Sequence, residues 1–293
     1  MMFNEKYETY LSLYTDFSNK YFKDFETNPP LLGESMRYSL LGSGKRIRPV
    51  LMLAAAEILN VPAEEVLPFA LALEMIHTYS LIHDDLPAMD NDDYRRGKPS
   101  NHKVYGEGHA ILAGDGLLNT AYSICLEQCL KGEKHVYASK FLCECAGVSG
   151  MIAGQSADLL YSKKTDDEIT EEDLWYINEH KTGKLLLAPL AIASILADNK
   201  SYFELEKFGK YLGVLFQVTD DILDEVGSFD ELGKTIGKDK DENKLTSVRL
   251  YGLDGAKIRA DLYADKCYAV LDAINGDVTF FKQLVTYIRE RKN

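Results

Sequence analysis

The sequence predicts an all-α protein in which inner helices are ringed by outer ones. Apolar residues recur at helical spacing along nearly the whole chain. Strand signals are scarce, because no alternating β-branched runs are bounded by hairpin-type turns. No shift in composition marks a linker, so residues 1–293 are predicted to form a single helical domain.

Helix-breaking clusters divide the chain into segments that suit helices of about 12 to 25 residues. These clusters lie at residues 28–33, 42–44, 97–100, 106–108, 162–167 and 227–237. The segments 66–82 and 212–223 are apolar around most of their circumference, which is typical of central helices.

Two helix starts can be read directly. Asn60-Val61-Pro62 precedes the first central segment, with proline near the first turn. Thr170 and Asp173 fit a capping box for a helix that begins at Glu171 and runs towards Ala197. Lys181-Thr182-Gly183-Lys184 interrupts that helix.

The amino-acid composition argues against several classes of protein. The net charge of −13 argues against a nucleic-acid-binding protein. The longest apolar run, 185–197, is too short to span a bilayer, and no signal peptide is recognisable, so no stable membrane insertion is expected. Five cysteines without Cys-x-x-Cys pairs predict reduced thiols and a cytoplasmic location.

Two aspartate clusters lie at the ends of the two central helices. They contain Asp84, Asp85 and Asp90 in the first cluster, and Asp220, Asp221 and Asp224 in the second. Clustered carboxylates repel one another, so a positive partner is expected. Hard oxygen ligands suit Mg²⁺, which often completes its shell with substrate phosphates. A solvated helix end would explain either cluster alone, but explains poorly two clusters at the ends of two apolar helices.

Cations stand close to both acidic clusters along the chain. They include Lys45 and Arg48 after a glycine turn, Arg95 and Arg96 after the first cluster, Lys181 within the long helix, and Lys234 after the second cluster. Arginine matches phosphate oxygens as a planar fork, whereas lysine acts as a point charge. Cations alternating with carboxylates of the Mg²⁺-binding type predict a diphosphate or polyphosphate substrate. The alternative is that these lysines and arginines are ordinary surface residues.

These motifs, together with Phe216-Gln217, resemble those of the trans-isoprenyl diphosphate synthases, most closely the bacterial farnesyl type. The similarity covers nearly the whole chain, in order. It implies an isoprenoid-synthase helical bundle, a homodimer, and core helices around a central cavity. It also implies Mg²⁺-dependent head-to-tail condensation of isopentenyl diphosphate with dimethylallyl and geranyl diphosphate.

The resemblance assigns roles to individual residues. Asp84, Asp85 and Asp90 would hold two Mg²⁺, and Asp220, supported by Asp221 and Asp224, a third. The allylic diphosphate would be bound by Arg95, Lys181 and Lys234. Isopentenyl diphosphate would be bound by Lys45, Arg48, His77 and Arg96. Thr182 and Gln217 would line the path of the carbocation, so that Lys181, Thr182 and Gln217 form the catalytic set.

Product length is predicted from Tyr79 and Ser80, which precede Asp84 by five and four residues. One helical turn of about 5.4 Å puts them below the diphosphate site. In the resembled family an aromatic residue there blocks the growing chain, so a C15 product is expected. Core packing is the other role open to Tyr79.

Several alternatives stay open at this point. They are a geranylgeranyl or geranyl synthase, a terpene cyclase, a non-catalytic partner subunit, and a phosphohydrolase using His83-Asp84. One departure from the family pattern follows Lys244, where Ser247-Val248 replaces Tyr-Pro. The role of Lys244 is therefore not carried over.

Overall fold

The computed structural model describes residues 3–198, 202–227 and 243–291, which are almost entirely helical. The first six helices are α1 (Phe3–Lys23), α2 (Pro30–Leu40), α3 (Ile47–Ile58), α4 (Ala63–Asp84), α5 (Asn101–Tyr105) and α6 (Glu107–Cys129). The next four are α7 (Glu133–Ala146), α8 (Met151–Tyr161), α9 (Glu171–Ile177) and α10 (Lys184–Leu196). The last three are α11 (Tyr202–Val226), α12 (Ser247–Leu271) and α13 (Thr279–Glu290). The all-α prediction is confirmed.

The core is built from α3, α4, α10 and α11. Helix α4 packs against α3, α6 and α10, and α11 packs against α10 and α12. Both segments predicted to be central are central, because 66–82 lies in α4 and 212–223 lies in α11. Helix α4 is long and apolar enough to cross a membrane, but 78% of its apolar window is buried inside the fold. Its apolar surface therefore faces other helices.

The predicted helix from Glu171 changes its hydrogen-bonding pattern where the sequence indicated an interruption. The capping box is present, since the Thr170 hydroxyl accepts from the Asp173 N–H at 3.1 Å. After α9, residues Asn178–Gly183 form a π-helix, and α10 follows directly. Short π segments inside α-helices are frequent at functional sites. This one carries Lys181 and Thr182.

A small hairpin lies between α4 and α5, where no strand was predicted. Strand β1 (Tyr94–Arg95) pairs antiparallel with β2 (Lys98–Pro99). Both turn residues, Arg96 and Gly97, have positive φ values of 55° and 76°. Positive φ at both positions is typical of the type I′ turn in two-residue hairpins, and arginine adopts it rarely. The turn sends the side chains of Arg95 and Arg96 to different partners.

Candidate active site

A cavity of about 700 Å³ opens among α4, α6, α8, the π-helix and α11. Part of its wall is apolar, formed by Leu118, Met151, Leu159, Leu185 and Phe216. The predicted site residues on its wall are Arg48, His77, Tyr79, Ser80, Asp84, Arg95, Arg96, Lys181, Thr182, Gln217 and Asp220. The fold thus brings together residues separated by more than 170 positions in the sequence. Lys234 lies outside the described residues.

Each aspartate of the first cluster contacts a cation or an amide. Asp84 Oδ1 accepts from Gln155 Nε2, and Asp84 Oδ2 lies 3.7 Å from Lys181 Nζ. Arg95 Nε donates to Asp85 at 2.8 Å. Arg95 Nη2 also lies 3.2 Å from Asp92 Oδ2. Lys244 Nζ donates to Asp90 Oδ2 at 2.7 Å. In these contacts three cations, Arg95, Lys181 and Lys244, face four carboxylates, so an excess of negative charge remains.

Burial and these partners pull the pKa values of the first cluster in opposite directions. Burial raises the pKa of Asp84, against the opposing effect of Lys181. Burial also raises the pKa of Asp85 to about 6, although Arg95 acts in the other direction. For Asp90, burial is outweighed by Lys244 and Lys181, which lower its pKa. Desolvated carboxylates of this kind favour a bound cation.

The side chain of Lys181 extends from the π-helix, and its ammonium group lies between two acidic side chains. Its Nζ donates to Asp158 Oδ2 at 2.6 Å and faces Asp84. Although burial acts against the charged form, Asp84 and Asp158 raise the pKa of Lys181, so it stays protonated. Gln155 and Asp158 were not predicted. They stand three residues apart on one face of α8, and this pair of polar residues in an apolar segment was the available signal.

The second aspartate cluster is tied to the π-helix and to the C-terminal segment. Thr182 Oγ1 donates to Gln217 Oε1 at 2.7 Å, and Gln217 Nε2 donates to Asp221 at 2.9 Å. Arg291 pairs with Asp220 and donates to the Phe216 carbonyl at 3.1 Å. Asp221 and Asp224 are buried on α11. Arg291 was not predicted, because nothing near it in the sequence points to Asp220.

A basic pocket adjoins the cavity. Arg48 is buried, and no described residue accepts a hydrogen bond from its Nε. Burial lowers the pKa of Arg48 to about 10 and, with the nearby Arg291, lowers that of Lys45 to about 8. Burial and the guanidinium groups of Arg48 and Arg96 hold the pKa of His77 well below its usual range, so the ring is neutral. A buried donor without an acceptor fits an anionic ligand.

Two arginines close to the glycine turn at residues 42–44 have different partners. Arg46 points into the core, where it pairs with the buried Glu74 at 2.8 Å. Arg96 reaches back to the glycine turn, where Nη1 donates to the Ser43 carbonyl at 3.2 Å. A Cβ on Gly44 would lie 2.7 Å from that nitrogen. Glycine at position 44 is therefore what allows Arg96 to reach this place.

The donor chemistry fits Mg²⁺, although the carboxylates do not form a closed ligand cage. Among residues 3–198, 202–227 and 243–291, no three Asp, Glu, His or Cys side chains converge closely enough to hold a metal ion as they stand. Asp84 and Asp220 nevertheless both line the cavity, and they offer hard oxygen ligands. An open arrangement suits an ion that keeps waters and takes substrate phosphate oxygens.

Tyr79 and Ser80, the two residues predicted to set product length, both lie on the cavity wall. Tyr79 is 6% exposed, and its hydroxyl has no hydrogen-bond partner among the described residues. Burial raises its pKa to about 12. Ser80 Oγ donates to the His77 carbonyl at 2.8 Å, which turns it back onto its own helix. Of these two residues, Tyr79 therefore presents the larger side chain to the cavity.

The chain is similar to known proteins in sequence and in structure. A family model described as polyprenyl synthetase matches residues 29–276. The chain belongs to the polyprenyl synthetase family. The predicted family and the prenyltransferase class are thereby confirmed, and the phosphohydrolase alternative is wrong. Apart from Lys234, which is not described, every predicted site residue lies inside the matched range and in the described chain, whereas Arg291 lies beyond that range.

Individual relatives differ in the product that their names state. The farnesyl diphosphate synthase of Micrococcus luteus is 45% identical over 262 residues, covering 89% of this chain and 89% of that protein. Geranylgeranyl pyrophosphate synthase 7, chloroplastic, of Arabidopsis thaliana is 42% identical over 269 residues, covering 90% and 78%. A crystal structure of the Helicobacter pylori geranyltransferase complexed with magnesium and isoprenyl diphosphate has a TM-score of 0.83 and 31% identity, covering 96% and 94%.

Proposed function

We propose that this chain condenses isopentenyl diphosphate head to tail with dimethylallyl and then geranyl diphosphate, forming farnesyl diphosphate and releasing diphosphate. The observation that carries the proposal is the cavity itself. Its wall combines carboxylates and cations with apolar side chains, and the ring of Tyr79 forms part of that wall. Such a shape suits an anionic head with an apolar tail. The C20 product named for the plant relative is the alternative.

The first chemical step is cleavage of the allylic C–O bond, which leaves an allylic cation and diphosphate. Asp84, Asp85 and Asp90 would hold two Mg²⁺, and Asp220 with Asp221 and Asp224 a third. When bound, the ions would neutralise charge that develops on the leaving group. Lys181 and Arg95, whose charged forms are stabilised by neighbouring aspartates, add fixed positive charge at the same place.

The second step joins the two substrates. The basic pocket of Lys45, Arg48 and Arg96, beside the neutral His77, would hold isopentenyl diphosphate next to the cation. A fixed pose removes much of the entropic barrier to carbon–carbon bond formation. Because the Thr182 hydroxyl donates to Gln217, its lone pairs remain available to the positive charge in the cavity. The departed diphosphate then accepts the proton lost from the new chain, and the apolar walls exclude water that would quench the cation.

We also propose a homodimer. Exposed apolar side chains concentrate on α6 and on the segments that follow it, including Leu112, Leu126, Leu130, Val148, Ile152 and Leu160. Large contiguous areas of exposed apolar surface mark protein interfaces. The residues 1–293 would act as one domain, and the five unpaired cysteine thiols fit a cytoplasmic location.

A product analysis tests the proposed reaction. The purified chain is incubated with isopentenyl and dimethylallyl diphosphate, with Mg²⁺ or with EDTA, and the prenyl chains are sized. We expect C15 chains that require Mg²⁺. Longer chains would retain the chemistry but overturn the C15 assignment, and no elongation by folded protein would overturn the function.

The Asp84→Asn variant tests the metal assignment in the same assay. Losing a carboxylate at the metal-binding site is expected to lower kcat by about 100-fold or more. Asp93→Asn is the matched control, because Asp93 follows the same cluster but pairs with the exposed Lys103 at 2.7 Å. Equal activity of the two variants would contradict the assignment.

A further inference from the structure

Helices α4 and α6 approach each other most closely where His83 faces Gly114. A Cβ added to Gly114 would lie 2.2 Å from His83 Nε2 and 2.6 Å from His83 Cδ2. Real Cβ atoms do not approach other atoms so closely, so a side chain at position 114 would displace the imidazole ring. The ring occupies the space that the missing Cβ leaves.

A hydrogen bond fixes the ring against α6. His83 Nε2 lies 3.0 Å from the Ile111 carbonyl oxygen. Because a carbonyl oxygen can only accept, this nitrogen carries the hydrogen and donates it. The carbonyl belongs to the turn of α6 that also contains Gly114. His83 therefore cannot slide along α6 without losing this bond.

The fixed ring supports Tyr79. The two rings lie one turn apart on α4, with centroids 5.7 Å apart and planes at 81°, which is an edge-to-face pair. The Tyr79 hydroxyl has no partner among the described residues, so packing alone sets the position of its ring. On α4, His83 follows Tyr79 by one turn in the direction of Asp84, and it lines the cavity as well.

We propose that Gly114 and His83 are positioning residues for chain length, which hold the Tyr79 ring as the stop for the growing prenyl chain. This inference rests on the proposed function and extends it to two residues without an assigned role. Gly114 makes room for the imidazole, the Ile111 carbonyl orients it, and the imidazole braces Tyr79.

The proposal predicts opposite effects for two substitutions. In His83→Ala the brace is lost, so the Tyr79 ring can turn into the vacated space and the cavity deepens. The ratio of C20 to C15 product should rise about threefold or more, as expected for loss of one aromatic pair. In Gly114→Ala the imidazole is pushed into the cavity above Tyr79, so C10 should accumulate relative to C15.

The double variant separates this mechanism from general damage. With alanine at position 83, the new Cβ at position 114 meets no ring. Gly114→Ala/His83→Ala should therefore lose the C10 accumulation and give the product ratios of His83→Ala, a clear departure from additivity. Gly108→Ala is the control, because it adds the same methyl group to α6 in open space.

The experiment measures C10, C15 and C20 products and total isopentenyl incorporation for the wild type and these variants. Unchanged product ratios in His83→Ala overturn the inference, as does C10 accumulation that persists in the double variant. The His83→Ala variant suffices if Gly114→Ala does not fold. A folded wild type without any prenyl product overturns the proposed function instead, so the two failures are distinguishable.

Discussion

At residue scale, we expect the ring of Tyr79 to limit chain length and its hydroxyl to contribute nothing to that limit. The hydroxyl is buried without a hydrogen-bond partner among the described residues, whereas the ring lies on the cavity wall. A stop made of ring volume should survive loss of the oxygen but not loss of the ring.

We expect Tyr79→Ala to shift the main product from C15 to C20 or longer chains. Truncation removes the bulk that ends the cavity, and the apolar wall accommodates another isoprene unit. Tyr79→Phe, which keeps the ring, should give the wild-type product. Sizing of products from both variants checks this, and an unchanged spectrum for Tyr79→Ala would remove Tyr79 as the stop.

We expect binding in the basic pocket to depend on pH through Lys45. Burial, then repulsion by Arg291, lowers its pKa to about 8, so the side chain loses its charge as the pH rises through that value. We expect kcat/KM for isopentenyl diphosphate to fall above pH 8, to about tenfold lower at pH 9 if the charge is essential. Lys45→Arg keeps its charge and should flatten the profile over that range. Identical profiles for the two proteins would contradict this role.

At the scale of elements, the π-helix is held between two glycines on neighbouring helices. A Cβ on Gly154 of α8 would lie 2.0 Å from Lys181 N, and one on Gly213 of α11 would lie 2.7 Å from Gly183 Cα. Backbone therefore touches backbone on both sides. This contact directs Lys181 towards Asp158 and Thr182 towards Gln217.

Gly154→Ala should disturb stability and activity together. Overpacking of this kind typically costs about 1 to 3 kcal/mol in the free energy of unfolding. The displaced π-helix would also move Lys181 away from Asp84, so kcat should fall in the protein that remains folded. Denaturant unfolding and steady-state kinetics measure the two effects. Gly108→Ala, which adds a methyl group in open space, should change neither.

At the scale of the whole molecule, the net charge of −13 contrasts with a site in which carboxylates and cations alternate. Contacts such as Lys244 with Asp90 and Arg291 with Asp220 join segments that are far apart in the chain. The fold therefore gathers positive charge where a diphosphate is expected to bind. The remaining surface keeps its excess of acidic groups.

The proposed dimer can be tested with a pair of matched substitutions. Leu126 on α6 and Ile258 on α12 are both 69% exposed, but only Leu126 lies in the region of concentrated apolar residues. We expect Leu126→Glu to convert the dimer to monomer and Ile258→Glu to leave it intact, since a charge in an apolar interface is desolvated. Sedimentation analysis distinguishes them. A dimer that persists in Leu126→Glu would place the interface elsewhere.

The local features of this protein were readable from its sequence. Helical periodicity identified the central helices, Thr170 and Asp173 identified a capped start, and the spacing of Asp84, Asp85 and Asp90 identified an acidic cluster. These features depend on interactions between residues a few positions apart, so they can be predicted from the sequence. The position of Tyr79 about one turn before Asp84 on the same helix could be predicted for the same reason.

Only the tertiary structure determined which of the predicted residues contact one another. Arg46 and Arg48 stand two positions apart, yet one pairs with Glu74 in the core and the other borders the cavity. The π-helix, the pairing of Arg291 with Asp220, and the contact of His83 with Gly114 all depend on how helices pack. Helix packing depends on close contacts between segments that are distant in the chain. The periodicity of one segment does not show which other segment it will contact.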